Sequence, residues 1–269
     1  MRPFSFARLQ RMGALVQQLP TSHATLIEGQ MFRFAKSGKG IPSIVLLAGA
    51  GGPLDSWYKL YPEIEGLGGA VFSYDRPGVG GSAKPREAQY GETVVAQLRQ
   101  LLQAAGVEPP FVLVGHSFGG LHANLFAREF ADEVAGVLFL EATAPDDITN
   151  VKQFQPAWQR AFIRLLDRVS PRDPFDEIRN QLETVRDIAE APQFPPVPVT
   201  VLSGGKRLPR LLVPTALVRE RERTQLGLAA LSPLGERVVA GRSAHFPQLS
   251  EPQVVLAELK RLLARVQRR

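Results

Sequence analysis

Residues 111–120 read FVLVGHSFGG. Four apolar residues that suit a buried strand run directly into Gly115-His116-Ser117-Phe118-Gly119, and a helical pattern follows over 119–130. G-x-S-x-G between a strand and a helix makes a turn too tight for side chains on either side of the serine, and the strain pushes the Ser117 hydroxyl out above the strand ends. Ser117 is therefore the candidate nucleophile. The bland alternative, a glycine-rich packing turn with an incidental serine, leaves the flanking strand and helix without a purpose.

Outward from this turn, short apolar runs at 44–48, 70–74, 136–140 and 199–203 alternate with helical stretches near 56–65, 93–105 and 119–130. That alternation predicts the α/β class, a parallel sheet with helices on both faces. Residues 24–35, with Leu26, Met31, Phe32 and Phe34 around 28–30, predict an antiparallel hairpin entering the sheet edge. After Glu141 the rhythm changes. Phe154, Trp158, Phe162 and Leu166 recur every four residues, and Phe175, Ile178, Leu182 and Val185 recur at three and four, so two amphipathic helices are expected on either side of SPRDP. The prolines of APQFPPVPV then return the chain to a strand. The expected organisation is a helical N-terminal extension (1–22), a core (23–144 and 197–269) and a helical cap (145–196). Insertions at this point of an α/β sheet tend to roof the site, so Phe154, Trp158 and Phe162 are candidates for a substrate cavity as well as for core packing.

A serine hydroxyl is a weak nucleophile at neutral pH and needs an imidazole to take its proton and an acid to orient that imidazole. The chain has four histidines. His23 stands at the hairpin edge, His116 adjoins the serine but points elsewhere, and packing explains His122 on the following helix. His245, in GRSAHFPQLSEP, follows a strand-like run at 237–240 and precedes a helix expected over 252–266, which places it in a loop at the C-terminal edge of the sheet. It is the candidate base. With the order Ser…acid…His, the acid lies between 118 and 244. The run at 199–203 continues into Gly204-Gly205-Lys206-Arg207 without a carboxylate, whereas 136–140 ends at Glu141, and an unpaired carboxylate there would be costly unless a histidine or backbone donors engage it. Glu141 is the candidate acid, with Asp146 and Asp147 as fallbacks and a structural Glu–Arg pair as the rival reading. A triad predicts a Glu141 carboxylate within roughly 2.6–3.2 Å of His245 Nδ1. The candidate oxyanion donors are the backbone N–H groups of Phe118 and of Ala50, the latter in the small-residue loop Gly49-Ala50-Gly51-Gly52-Pro53. That loop lacks the Lys-Ser/Thr ending of a phosphate cradle.

Composition narrows the chemistry. Of 269 residues, 44% are hydrophobic and 22% charged, which excludes a disordered or fibrous chain, and the absence of cysteine excludes disulfides, thiolate zinc sites and a thiol nucleophile. The net charge of +6 is spread over the N-terminal segment, 206–223 and the tail from Lys260, with arginines between 160 and 186 alternating with acids, so a solvated mixed surface is expected and no nucleic-acid partner. No apolar run approaches a membrane span and the N-terminal apolar core is short for a secretory signal, so a soluble, cytoplasmic protein without integral membrane association is expected. The unopposed Arg2, Arg8 and Arg11 leave a presequence as the alternative to an amphipathic helix.

With VGHSFGG, the SAHFPQLSEP histidine segment and Tyr74-Asp75-Arg76-Pro77-Gly78-Val79-Gly80-Gly81-Ser82, which is similar to a D-R-x-G-x-G-x-S turn, the chain resembles the α/β-hydrolase superfamily of esterases, lipases and peptidases over about residues 24–266. The resemblance implies an α/β-hydrolase fold with a mostly parallel twisted sheet and a helical cap. The resemblance does not imply a substrate; Ser117, His245 and Glu141 together make the expected activity that of a serine hydrolase acting on a small-molecule acyl substrate, with no metal or organic cofactor implied. Two departures stand out. Ala48-Gly49 replaces the common His-Gly before the oxyanion loop, and the frequent Asp after the strand at 199–203 is missing, which supports Glu141 because a branch of the fold carries its acid after the preceding strand. Asp75 and Arg76 are expected to hold their loop. A non-hydrolytic lyase of the same fold and a hydrolase-fold receptor are the alternatives.

Overall fold

The sheet begins with β1 (Ser22–Ile27) and β2 (Gln30–Ser37), an antiparallel hairpin that turns at Glu28-Gly29, both with positive φ (51° and 78°). That backbone is the one a two-residue hairpin turn requires. The computed structural model describes residues 19–154, 177–206 and 215–268. Within them, β3 (Ser43–Leu47), β4 (Val71–Tyr74), β5 (Phe111–His116), β6 (Val134–Leu140), β7 (Val199–Gly204) and β8 (Gly235–Ala240) complete an eight-stranded sheet in the order β1-β2-β4-β3-β5-β6-β7-β8. β2 runs antiparallel to β4, and every neighbouring pair from β4 to β8 is parallel. The parallel strands consequently end along one edge, where an open α/β sheet receives its ligands.

Helices cover both faces. α1 (Tyr61–Glu65) and α2 (Gly91–Ala104) flank β4, and α3 (Gly119–Glu129) follows β5. α4 (Pro145–Phe154) and α5 (Gln181–Glu190) lie between β6 and β7, α6 (Thr215–Ala229) links β7 to β8, and α7 (Pro247–Ser250) and α8 (Pro252–Val266) follow β8. Successive strand residues serve opposite cores. Val45, Leu47, Leu113, Val137 and Phe139 pack with Leu98, Leu121 and Phe126 of α2 and α3, while Ile44, Leu46, Val112, Val114, Leu138 and Leu140 pack with Trp57, Tyr61, Leu259 and Leu262. Burial on both faces is why these strands read as continuous apolar runs and not as alternating ones. At about 25 cal/mol per Å² of apolar surface, each such side chain contributes roughly 1.5–3 kcal/mol.

The expected strands lie within two residues of the observed ones, and α8 spans the expected 252–266. The β6–β7 connection departs from expectation. α5 starts at Gln181 and buries Thr184 and Ile188, while Ile178 and Leu182 are exposed. The reason is its neighbour: the face that meets α2 sits against Gly91, and Asp187 accepts the Glu92 N–H at 3.1 Å. α6 was not expected. The extension up to residue 18, together with Trp158, Phe162, Leu166 and Phe175, lies outside the described residues, and Phe154 closes α4. No helix among the described residues is long and apolar enough to cross a membrane.

Candidate active site

Ser117 occupies the turn between β5 and α3 with φ at 50°, a conformation that a non-glycine residue keeps only where its surroundings enforce it. They do so through the backbone. The Ser117 N–H donates to the Leu140 carbonyl at 3.1 Å, and the Ser117 carbonyl accepts from Gly120 and Thr143, each at 2.9 Å. A Cβ at Gly115 would stand 2.9 Å from the Gly119 carbonyl, and one at Gly119 would collide with the carbonyls of Leu47 and Ala48. The flanking glycines are thus required by the approach of β3 and α3 to the turn.

Glu141 repeats the device one strand over. It follows β6 with φ at 43°, and its N–H donates to the Leu202 carbonyl at 2.8 Å. Its carboxylate accepts the Gly204 N–H at 2.6 Å and Arg221 Nη2 at 3.1 Å, and its Oε2 stands 3.8 Å from His245 Nδ1. Burial alone would raise the Glu141 pKa, but the facing His245 imidazole, the Arg221 charge and the Gly204 N–H together bring it down to about 2. The separation from His245 exceeds the roughly 2.6–3.2 Å expected of a hydrogen bond. The oxygen that faces His245, Oε2, is the one that accepts from Arg221, while Oε1 accepts from the Gly204 N–H. The Glu–Arg pair that stood as the rival reading and the Glu–His approach therefore coexist on Glu141.

His245 lies in the loop between β8 and α7 with its side chain half-exposed. Contacts on two sides hold that loop. Behind it, Glu251 accepts the Ser243 hydroxyl at 2.7 Å and the Arg242 N–H at 2.9 Å, and the Ser243 hydroxyl holds the Glu251 carboxyl below its ordinary pKa. In front, His116 Nε2 lies 2.8 Å from the His245 carbonyl. The other histidines stand elsewhere. His23 is exposed on β1, and His122 is fully buried beside the Phe118 ring, where burial and then the Arg76 charge lower its pKa far below the usual imidazole value. Asp147 pairs with Arg221, Thr224 and the Ala144 N–H, and Asp146 pairs with Arg223, so these carboxylates serve α4 and α6.

The loop after β3 reaches the same place. A Cβ on Gly49 would lie 3.2 Å from Ser117 Cβ, and Ala50, next along, is exposed. Phe118 opens α3, where the first amides have no acceptor within the helix. Asp75 is fully buried and accepts the Leu54 N–H at 2.6 Å, the Gly81 N–H at 2.8 Å and Arg33 Nη1 at 3.1 Å. Arg76 donates to the carbonyls of Ala48 at 2.8 Å and Gly49 at 2.6 Å, and is paired with Glu177. Both therefore hold loops, as expected. Two participants escaped sequence reasoning, Arg221 and Glu177.

Residues 42–186 match the family described as alpha/beta hydrolase fold, and the chain belongs to that family. It is 26% identical over 220 residues to the uncharacterized protein YqjL of Bacillus subtilis, which covers 82% of each chain. It is 34% identical over 104 residues to Methylesterase 2 of Arabidopsis thaliana, 38% of this chain and 40% of that one. Among solved structures it resembles bromoperoxidase from Bacillus anthracis, with a TM-score of 0.64 at 18% identity over 91% of this chain and 100% of that one. Haloalkane dehalogenase DatA of Agrobacterium tumefaciens is comparably similar, with a TM-score of 0.62 at 18% identity over 94% and 99%. At 18% identity these neighbours share the fold alone, so the chemistry must be argued from the site.

Proposed function

We propose that this protein is a serine hydrolase that cleaves carboxylic esters through an acyl-enzyme intermediate. The reading is supported by two observations, Ser117 held at φ 50° at the end of β5 and a His245 whose Nδ1 faces the Glu141 carboxylate at 3.8 Å at the end of the neighbouring β6. In this mechanism Ser117 Oγ attacks the acyl carbonyl while His245 Nε2 takes the hydroxyl proton. The oxyanion is met by the N–H groups of Phe118 and Ala50. Collapse expels the alcohol, which receives the proton from His245, and water then attacks the acyl-serine by the same route to release the acid. Glu141, whose pKa of about 2 keeps it ionised, fixes the imidazole and stabilises the imidazolium.

The similarity to Methylesterase 2 of Arabidopsis thaliana supports an ester over an amide as the substrate class. The β6–β7 connection is read as the cap over the site, with Phe154, Trp158 and Phe162 as its cavity candidates. A p-nitrophenyl ester chain-length series, with release of alcohol and acid measured separately, tests the reading. Equal release with saturable kinetics is expected. A protein that consumes no ester of any length and is not labelled by a fluorophosphonate would leave a lyase or a binding protein of the same fold.

A further inference from the structure

Arg76 lies on the turn after β4 and is 1% exposed. Its guanidinium makes four hydrogen bonds. Nη1 donates to the Ala48 carbonyl at 2.8 Å, and Nη2 donates to the Gly49 carbonyl at 2.6 Å. On its other edge, Nε and Nη2 meet the two carboxylate oxygens of Glu177, the second at 3.1 Å. This is the side-on, bidentate geometry that only a planar guanidinium provides. Glu177 itself is 1% exposed, lies 101 residues away in sequence, and stands four residues before α5 in the β6–β7 connection.

The two carbonyls determine two amides. In a planar trans peptide the C=O and the following N–H point in opposite directions. A guanidinium that draws the Ala48 and Gly49 carbonyls toward itself therefore turns the N–H groups of Gly49 and Ala50 away from itself. Gly49 packs against Ser117, and the Gly52 N–H adds a 3.0 Å bond to the Gly49 carbonyl that fixes the same peptide plane. The adjacent Asp75 anchors the far end of this loop through the Leu54 N–H at 2.6 Å.

We propose that Arg76 is the positioning residue of the oxyanion hole, setting the Gly49–Ala50 peptide, and that this orientation depends on the buried Glu177 carboxylate just before α5. The inference rests on the hydrolase reading for its catalytic consequence, but the peptide orientation stands without it. Glu177 supplies the charge that keeps a buried guanidinium in place, so the stretch from Glu177 into α5 and the hole are held together. Arg76 touches no reacting atom. Its effect passes through the Ala50 amide.

The test compares wild type with Arg76→Lys and Glu177→Gln. Lysine is a point charge that cannot hold two carbonyls and a carboxylate at once. Glutamine keeps one acceptor for Arg76 but removes the charge. Both variants should lower kcat on a p-nitrophenyl ester by about ten- to a hundredfold, less than or equal to the loss of a whole oxyanion donor, with KM nearly unchanged. Inhibition by a trifluoromethyl ketone, whose hemiketal oxyanion occupies the hole, should weaken by the same factor, and crystals of the variants should show the Gly49–Ala50 peptide reoriented. Lower melting temperature with unchanged kcat, inhibition and peptide orientation would reduce Arg76 to a structural brace and overturn the proposal. If Arg76→Lys does not fold, Glu177→Gln carries the same readouts. A wild type that turns over no ester defeats the hydrolase reading, and the crystallographic arm then decides the peptide orientation alone.

Discussion

His116 Nε2 lies 2.8 Å from the main-chain carbonyl of His245, so the residue immediately before Ser117 is bonded to the backbone of the residue that faces Glu141. A carbonyl only accepts, which assigns the proton of the neutral His116 ring to Nε2. Burial takes the His116 pKa down to about 4, so this ring stays neutral near pH 7. It therefore adds no charge against a proton on the His245 ring, whose centroid is 5.1 Å away.

His116→Ala removes that tether and should lower kcat on a p-nitrophenyl ester by roughly ten- to a hundredfold, because small misplacements of a catalytic group cost that much. KM should change little. His116→Gln retains a donor on the same side and should recover part of the loss. Steady-state kinetics that are identical for His116→Ala and wild type would remove the tether from the account.

The same ring sets an acid sensitivity. Its pKa is about 4 in the fold and near 6.5 when unfolded, so between these values the unfolded chain binds more protons and stability rises with pH. The contribution is complete above about pH 6.5 and is lost as pH falls toward 4, by about 3 kcal/mol at most. The fully buried His122 acts in the same direction. Denaturant melts across this window should show a shallower decline for His116→Gln than for wild type, and parallel declines would contradict the assignment.

His245→Ala should lower kcat by several orders of magnitude, and Glu141→Gln by roughly 10²–10⁴ with a smaller change in KM. His122→Ala, His23→Ala and Asp146→Asn should stay within about tenfold, since none of these groups meets His245. A Glu141→Gln protein with lowered melting temperature and wild-type kcat would make its Arg221 bond at 3.1 Å the important one.

Asp75→Asn should destabilise the fold by roughly 2–4 kcal/mol, because one oxygen is lost among three donors and Arg33 is left without its buried partner. Urea unfolding measures this directly. A change below about 0.5 kcal/mol, the range of an ordinary surface substitution, would show that the turn does not depend on the charge.

The strand–turn–helix around Ser117 was legible because sterics leave glycine as the residue that fits where β3 and α3 crowd the turn. Glu141 was legible because a carboxylate at the end of an apolar strand demands partners. Its second partner was not, since Arg221 sits on α6, whose sequence TALVRERERTQLGLA carries charge around much of its surface and buries Thr224 and Gln225. One signal pointed to α6: parallel β7 and β8 require a crossover, usually helical. The Arg76–Glu177 pair left no such trace, because nothing local in the sequence links two residues so far apart.

Ser117 as nucleophile is tested most directly by intact-mass and peptide mass spectrometry after reaction with a fluorophosphonate. One phosphonyl adduct per chain is expected, on the peptide containing Ser117, and both the adduct and ester turnover are expected to be absent in a folded Ser117→Ala protein. Adduct formation on another residue, or labelling and turnover that survive in Ser117→Ala, would contradict it.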